Sequence, residues 1–505
     1  MSKLESIIKQ RRAIRDRLIA EGRAPYPQDG RRSHTNAEAL AEPEGASVTV
    51  GGRVRALREM GKIAFAKIED ETGMIQIVLR KGDTADFERL KDIEIGDFMR
   101  ATGSRMVTKT GEQSVLAARF ELLAKALRPL PDSYYGLANE EQRYRRRYLD
   151  LIMNKDVAEV FRKRSIIISS VRRTLERHGF LEVETPTLQP LYGGANARPF
   201  ITHINAYDGM PMYLKISDEL YLKRLLIGGF DKVYEIDKDF RNEGISYRHN
   251  PEFTMMECYA AYWDYTDIMR LVEEIYRDAA IAATGSDIVP YDLVTGRDED
   301  GEPITQRVEL NFRDPWERLT MKDGIRRHLA IDVDELSDAE LAAELNRRRP
   351  APGDAEPFNR GKAIAELFEF TEDHYIQPTF IIDFPRETTA FCKPHRDDPT
   401  LIERLEPYIA RMEVGNGYTE LNDPVLQRQF MMDERGDDAQ PLDEDFIQAM
   451  EYGMPPAGGL GLGIDRMVML LTNQSKIRDV LLFPTMKPLS PGESIDGDDD
   501  QADSG

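Results

Sequence analysis

Over the first twenty residues, Leu4, Ile7, Ile8, Ile14 and Leu18 recur at roughly helical spacing with basic residues between them, which predicts an amphipathic helix. The Pro-, Gly- and Arg-rich "APYPQDGRRSH" reads as a linker, so residues 1–45 form an N-terminal helix and linker. The period then shortens. "SVTVGGRVRALREM", "KIAFAKIED", "MIQIVLR", "DFMRATGSRMVTK" and "SVLAARFELLAKAL" read as five short β-rich segments separated by turns such as "ETG" and "KTGE". With one helical piece at "ADFERLKDI", five strands over residues 46–130 predict an OB-fold β-barrel. "RPLPDSYYGLANEEQ" closes that domain. From 143 to 489, helices such as 156–178 mix with strands without regular βαβ alternation, which predicts one large α+β domain. Within it, "TGRDEDGEPITQ" reads as an exposed hairpin or loop and 323–370 as mostly helical, while 490–505 is an acidic tail expected to be disordered.

Alternation also says which side chains share a face. If Glu71-Thr72 is a hairpin turn, Phe65 lies opposite Val78 and Gln76 is a same-face diagonal neighbour. An aromatic ring and an amide on one face suit base stacking and base-edge bonding; a core role for Phe65 is the competing reading. In "FRNEGISYRHNPEFTMMECY", antiparallel strands "DFRNE" and "EFTMMECYAAY" would place Arg241 and Glu243 on one face of the first. Phe253, Met255, Glu257 and Tyr259 would share one face of the second. Burying charge without partners costs several kcal/mol, so that mixture calls for a ligand.

Two further clusters carry chemistry. In "LEPYIARMEVGNGYTELND", a hairpin centred on Ile409-Ala410 would bring Glu406 and Glu413 opposite each other, to share a proton or hold a cation. Asn416, Tyr418 and Glu420 alternate onto one face beyond it. In "PPAGGLGLGIDRMVMLL", alternating glycines permit close approach to a ligand, and Arg466 at the start of an apolar helix suits phosphate. The segment is neither a dinucleotide fingerprint nor a Walker loop.

Composition narrows the classes. A chain of 505 residues implies two or three domains. No apolar run approaches the roughly 20 residues that span a bilayer, and the N-terminus lacks a signal-peptide core, so a cytoplasmic protein with no membrane partner is expected. Two cysteines, Cys258 and Cys392, exclude a disulfide framework and a thiolate zinc site. The net charge of −22 argues against a nucleic-acid partner only weakly, because binding depends on local patches. Residues 143–177 carry eleven Lys/Arg against four Asp/Glu, a solvated helix face or a basic patch.

"RTLERHGFLEVETPTL", "FRNEG…RHNPEFTMMECY" and "GLGLGIDRMVMLL" resemble motifs 1, 2 and 3 of the class II aminoacyl-tRNA synthetases. With "GGANARPF", "DELYLKRLL" and "EVGNGYTELND", the resemblance is nearest to the lysyl-tRNA synthetases and covers roughly residues 45–488. It implies an α+β fold, a class II antiparallel sheet flanked by helices with an N-terminal OB-fold barrel. It also implies a homodimer that activates L-lysine with ATP and Mg²⁺ and transfers it to tRNA(Lys).

Carried over by position, Arg241 would bridge the lysine carboxylate and the α-phosphate, Phe253 would stack on adenine, and Arg466 would pair on its other face or with phosphate. Glu243, His249 and Gly463 would contact ATP, and Glu406 and Glu413 would hold Mg²⁺. Gly194 and Glu219 would take the α-amino group. Tyr259 and Glu420 would take the ε-ammonium, supported by Glu257, Asn416 and Tyr418. Arg58, Phe65, Gln76 and Glu112 match positions that read the anticodon. "FPRETTAFCKPHR", Pro407 without a Gly-Gly turn, and Gly458 depart from the family pattern. An aspartyl- or asparaginyl-type ligase would call for Arg or Lys where Glu219, Glu257 and Glu420 stand. The complete OB-fold segment weighs against relatives that lysylate a protein, and intact motifs 2 and 3 against a non-catalytic RNA-binding protein.

Overall fold

The computed structural model describes residues 2–131, 137, 139–298, 301, 303–349, 358–433 and 441–490. The chain divides into two compact units, residues 1–138 and 139–505. The acidic tail lies outside the described residues from 491 onward.

The first unit opens with helix α1 (Lys3–Ala20), started by a reciprocal cap in which Ser2 Oγ accepts from the Glu5 amide and the Glu5 carboxylate accepts from the Ser2 amide. The helix is expected to bury an apolar stripe, yet its two buried residues are Leu18 and Arg11. The Arg11 guanidinium donates to the carbonyls of Ile95, Ala126 and Arg128, so a polar clasp ties the helix to the strands that follow. Those strands are β1 (Ser47–Met60), β2 (Ile63–Asp70), β3 (Gly73–Arg80), β4 (Phe98–Val107) and β5 (Gln113–Ala124). They close into a barrel in the order β1-β2-β3-β5-β4. Inward positions carry Val48, Val50, Val54, Ala64, Ala66, Ile68, Ile75 and Ile77, the alternation of a half-buried sheet.

The second unit is built on a mixed sheet. Its strands are β6 (Leu181–Glu182), β7 (Lys232–Phe240), β8 (Glu252–Ala261), β9 (Glu317–Thr320), β10 (Thr379–Pro385), β11 (Leu401–Ile409), β12 (Met412–Glu413), β13 (Gly415–Thr419) and β14 (Ala457–Gly463). The order across the sheet is β9-β10-β11-β13-β14-β8-β7-β6, with β12 paired to β11. The central pairs are antiparallel; the parallel ones, β6 with β7 and β9 with β10, lie at the two edges. One face is covered by helix α2 (Lys155–Arg177) and helix α4 (Tyr265–Thr284), whose Ile268, Leu271, Val272 and Ile275 belong to one core with Met256, Cys258, Leu405, Leu460 and Leu462. Helix α3 (Glu219–Ile227), helix α5 (Arg360–Glu369) and helix α6 (Ile464–Leu471) complete the frame used below.

The basic run at 143–177 is neither a bare solvated face nor an open patch. Arg143 pairs with Asp150, Arg145 with Glu141, Arg164 with Asp465 and Arg172 with Glu182. Arg147 is 1% exposed; it pairs with Asp150 and donates to the carbonyls of Arg478, Leu481 and Leu482. Much of that charge is therefore spent inside the unit. Among the described residues, no helix is long and apolar enough to cross a membrane.

Candidate active site

A cavity of about 990 Å³ opens on the face of the sheet away from α4. Strand β8 shows why it can exist. Met256, Cys258 and Ala260 are buried in the core, while Phe253, Met255, Glu257 and Tyr259 line the cavity. Opposite Met255, Glu257 and Tyr259, β14 places Gly463, Gly461 and Gly459. The same glycines face β13, where Asn416 lies opposite Gly461 and Tyr418 opposite Gly459. Two rows of large side chains thus flank a glycine floor. A Cβ at Gly459 would collide with the Glu420 carboxylate and the Tyr259 ring, which is the physical demand behind the alternating glycines.

At one end of the cavity three buried carboxylates converge. Glu257 accepts from Ser217 Oγ at 2.8 Å, the Asp218 amide at 3.2 Å and Tyr259 OH at 3.1 Å. Glu219, at the start of α3, and Glu420, just beyond β13, are joined by the fully buried Lys223. Its ammonium lies 2.6 Å from Glu219 Oε1 and also pairs with Glu420 Oε2. Burial pushes Glu257 and Glu420 up to about 8 and raises Glu219. Lys223 stays charged because Glu219 and Glu420 outweigh its own desolvation. With all three ionised, the acids exceed the one ammonium by two charges, an excess that protons or a cationic ligand would offset. Gly194, at φ +85°, lies where a Cβ would press to 3.0 Å from Ser217 Oγ and Glu219 Cβ.

At the other end the geometry differs from the expected strand. β7 stops at Phe240, so Arg241 and Glu243 lie beyond it rather than on one of its faces. The Arg241 amide still donates to the Pro251 carbonyl, but Pro251 has no N–H to return, and the ladder ends there. Both side chains nevertheless line the cavity. The Arg241 guanidinium sits 5.1 Å from the Phe253 ring centroid, and its Nε is buried without a hydrogen-bond partner. Arg466 of α6 donates to the Glu413 carbonyl and reaches His249 Nε2 at 3.2 Å. Burial and the adjacent Arg466 lower the His249 pKa, which keeps the imidazole neutral.

The carboxylate hairpin also departs from expectation. Its turn is Ala410-Arg411, both at positive φ (51° and 64°), one residue later than the sequence suggests. A turn with two left-handed residues matches strand twist, and no glycine marks it here. Glu413 therefore faces Tyr408, not Glu406. Glu413 lines the cavity; Glu406 does not, being held by Arg404 and by Tyr408 OH at 3.2 Å. Burial, with Glu413 nearby, raises Glu406 to about 7. Among the described residues no cluster of three or more acids, histidines or cysteines is arranged around a metal position. A cation held by one or two carboxylates plus phosphate oxygens and water needs no such cluster; Glu413 fits that chemistry from the cavity wall, with Glu406 behind it in electrostatic reach of Glu413.

On the barrel, Phe65 is half-exposed on the outer face, opposite Arg58 on β1 and Val78 on β3, while its neighbours Ala64 and Ala66 are fully buried. Gln76 donates to Ser114 Oγ at 2.9 Å, and Glu112 pairs with Lys67 at 3.3 Å. Phe65 is thus not in the barrel core.

Lys223, Arg404, Lys67 and Glu372, which accepts from Tyr408 OH at 3.0 Å, were not singled out by sequence reasoning. Two had a signal: Lys223 follows Glu219 by one helical turn, and Arg404 precedes Glu406 by two on a strand.

Residues 139–487 match the family of class II tRNA synthetases (D, K and N), and residues 48–129 match the OB-fold nucleic acid binding domain. The chain is 48% identical to the lysine--tRNA ligase of Roseiflexus sp. (strain RS-1), across 96% of this chain and 99% of that one. It is 47% identical to that of Chloroflexus aurantiacus, over the same shares, and 43% identical to that of Clostridium novyi, across 96% of both chains.

The raised carboxyls generate a pH prediction. Below about pH 8 the empty cavity holds protons on Glu257 and Glu420; an ammonium favours the carboxylates and expels them. Affinity for a diammonium ligand should therefore rise as pH climbs towards 8 and level off above it. Calorimetry at pH 7 in buffers of different ionisation enthalpy should register proton release, and its absence would refute this protonation scheme.

Proposed function

The chain belongs to the class II tRNA synthetases (D, K and N), and we propose that it is a lysine--tRNA ligase, joining L-lysine to tRNA(Lys) at the expense of ATP. The observation that carries this reading is the charge balance of the cavity: Glu219, Glu257 and Glu420 against Lys223, with the Arg241 cation at the far end. Lysine brings two ammonium groups and one carboxylate, the complement of that array. Aspartate or asparagine would leave the acids unpaired.

In the first half-reaction a lysine carboxylate oxygen attacks the α-phosphorus of ATP, the bond to the bridging oxygen breaks, and pyrophosphate departs. In the second, the terminal ribose hydroxyl of the tRNA attacks the lysyl carbonyl and AMP leaves. No side-chain nucleophile is needed. Cys258 and Cys392 are fully buried, and burial pushes both thiols up, so neither supplies a thiolate. Catalysis is positioning plus charge neutralisation. Arg241 would span the lysine carboxylate and α-phosphate; Phe253 would carry adenine; Glu243, His249, Gly463 and Arg466 would border the nucleotide. Gly194 and Glu219 would receive the α-ammonium. Glu420 and Tyr259 would receive the ε-ammonium, with Glu257, Asn416 and Tyr418 shaping the wall. Glu406 and Glu413 would hold Mg²⁺, which when bound offsets phosphate charge. The site of action in this reading is the cytoplasm.

We further propose a two-fold homodimer through residues 160–188, supported by the exposure of Ile166 (41%), Leu181 (48%) and Leu188 (48%) there. An active monomer in sedimentation at micromolar concentration would refute it.

Two substitutions test the reading. Arg58, Phe65, Gln76 and Glu112 would read the anticodon, so Phe65→Ala should weaken tRNA charging by one base stack, about 1–3 kcal/mol. Pyrophosphate exchange should be untouched; an equal fall in both assays would count against the role. Glu420→Gln keeps shape and removes a charge, leaving both Lys223 and the substrate ammonium short of a partner. Breaking such a pair costs about 2–5 kcal/mol, so kcat/KM for lysine should drop by roughly one and a half to three and a half decades. The KM for ATP should hold. Unchanged lysine kinetics would transfer the ammonium contact to Glu257.

A further inference from the structure

We propose that Lys223 is a specificity-determining positioning residue: its ammonium, clamped between Glu219 and Glu420, fixes the spacing of these carboxylates and thereby the length of diamino acid the cavity admits. The inference rests on the lysine reading above.

The geometry is that of a bridge. Lys223 is 0% exposed, on α3, one turn beyond Glu219, and its Nζ holds Glu219 Oε1 at 2.6 Å and Glu420 Oε2 on the other side. The ammonium also lies 5.8 Å from the Tyr259 ring centroid and 5.2 Å from that of Phe391. Two oxygens sharing one nitrogen donor can stand no farther apart than two hydrogen-bond lengths, roughly 5–6 Å. Without that bridge the two acids repel or take up a proton.

Each bridged carboxylate keeps a second oxygen. Glu420 Oε1 packs against the bare Cα of Gly459, where any side chain would collide with it. A substrate with an ammonium at both ends can therefore engage one oxygen on each acid while Lys223 remains between them. A chain one methylene shorter reaches only one acid and leaves the other unpaired. A longer chain runs into the wall. Glu219 and Glu420 come from a helix and from the end of a strand. Among the described residues, Lys223 is the cation paired with both.

The experiment is pyrophosphate exchange with ornithine, lysine and homolysine, in the wild type and in Lys223→Met and Lys223→Arg. In the wild type, kcat/KM should peak at lysine and fall about 10–200-fold for a change of one methylene. In Lys223→Met the lysine-to-ornithine ratio should collapse to within about threefold, well below that range. The pH at which lysine KM becomes constant should also rise, because two acids have lost their internal cation. Lys223→Arg, whose guanidinium donates from separate nitrogens and so holds the two carboxylates farther apart, should move preference towards homolysine. An unaltered KM for ATP marks a folded variant. A folded Lys223→Met enzyme that keeps the wild-type ratio overturns the proposal. If neither variant folds, a wild type that activates ornithine within about threefold of lysine overturns it as well. A wild type that exchanges with no diamino acid refutes the lysine reading itself, an outcome distinct from a retained ratio.

Discussion

Three carboxylates withdrawn from water around one ammonium are the constraint on which the catalytic unit depends. The desolvation of each ion costs several kcal/mol, and one buried lysine cannot offset three acids. The fold accepts this because the sheet is secured from behind. Met256, Cys258 and Ala260 project from β8 into the core with α4, and the opposite face of the same strand is left to hold charge. The glycines of β14 are the other half of the arrangement. They remove side chains where Glu420 and Tyr259 must come together, so packing and polarity are divided between the two faces of a few strands. The residual misfit is carried as raised carboxyl pKa values rather than as a distorted backbone.

The two ends of the cavity are not independent. Arg404 donates through Nε to Asn416 Oδ1 at 3.1 Å and pairs with Glu406, and its guanidinium lies over the Phe384 ring at 4.6 Å. One rigid fork thus orients the Asn416 amide in the cavity wall and holds the Glu406 carboxylate behind it. Arg466 does similar work, joining Glu413 to His249. Arginine suits both places because its donors are fixed in a plane and its charge persists when desolvated. The activation step asks for alignment of two substrates rather than proton transfer, so a site made of cross-braced ion pairs, with no activated nucleophile, is the arrangement that chemistry favours.

Much of this was legible in the chain. Period-two alternation placed the barrel strands, the Phe65–Val78 register and the cavity face of β8, because burial enforces alternation wherever one face is covered. What failed did so at strand ends and turns. Arg241 left its strand because Pro251 cannot donate, and the Ala410-Arg411 turn took two left-handed residues without the glycine or asparagine that usually marks one.

The partners of buried charges were the least visible. Arg147 looked like part of a basic run and instead caps carbonyls more than 300 residues away in sequence. Lys223 passes without notice in "DELYLKRLL" and is the counter-ion of Glu420. Alternation reports which face a residue occupies, and that depends only on its own strand. The ion it meets comes from another element, brought there by the whole sheet. A single sequence therefore reveals that an acid faces the cavity well before it reveals how much of that acid's charge is already answered, and specificity for a cationic substrate is set by the part left unanswered.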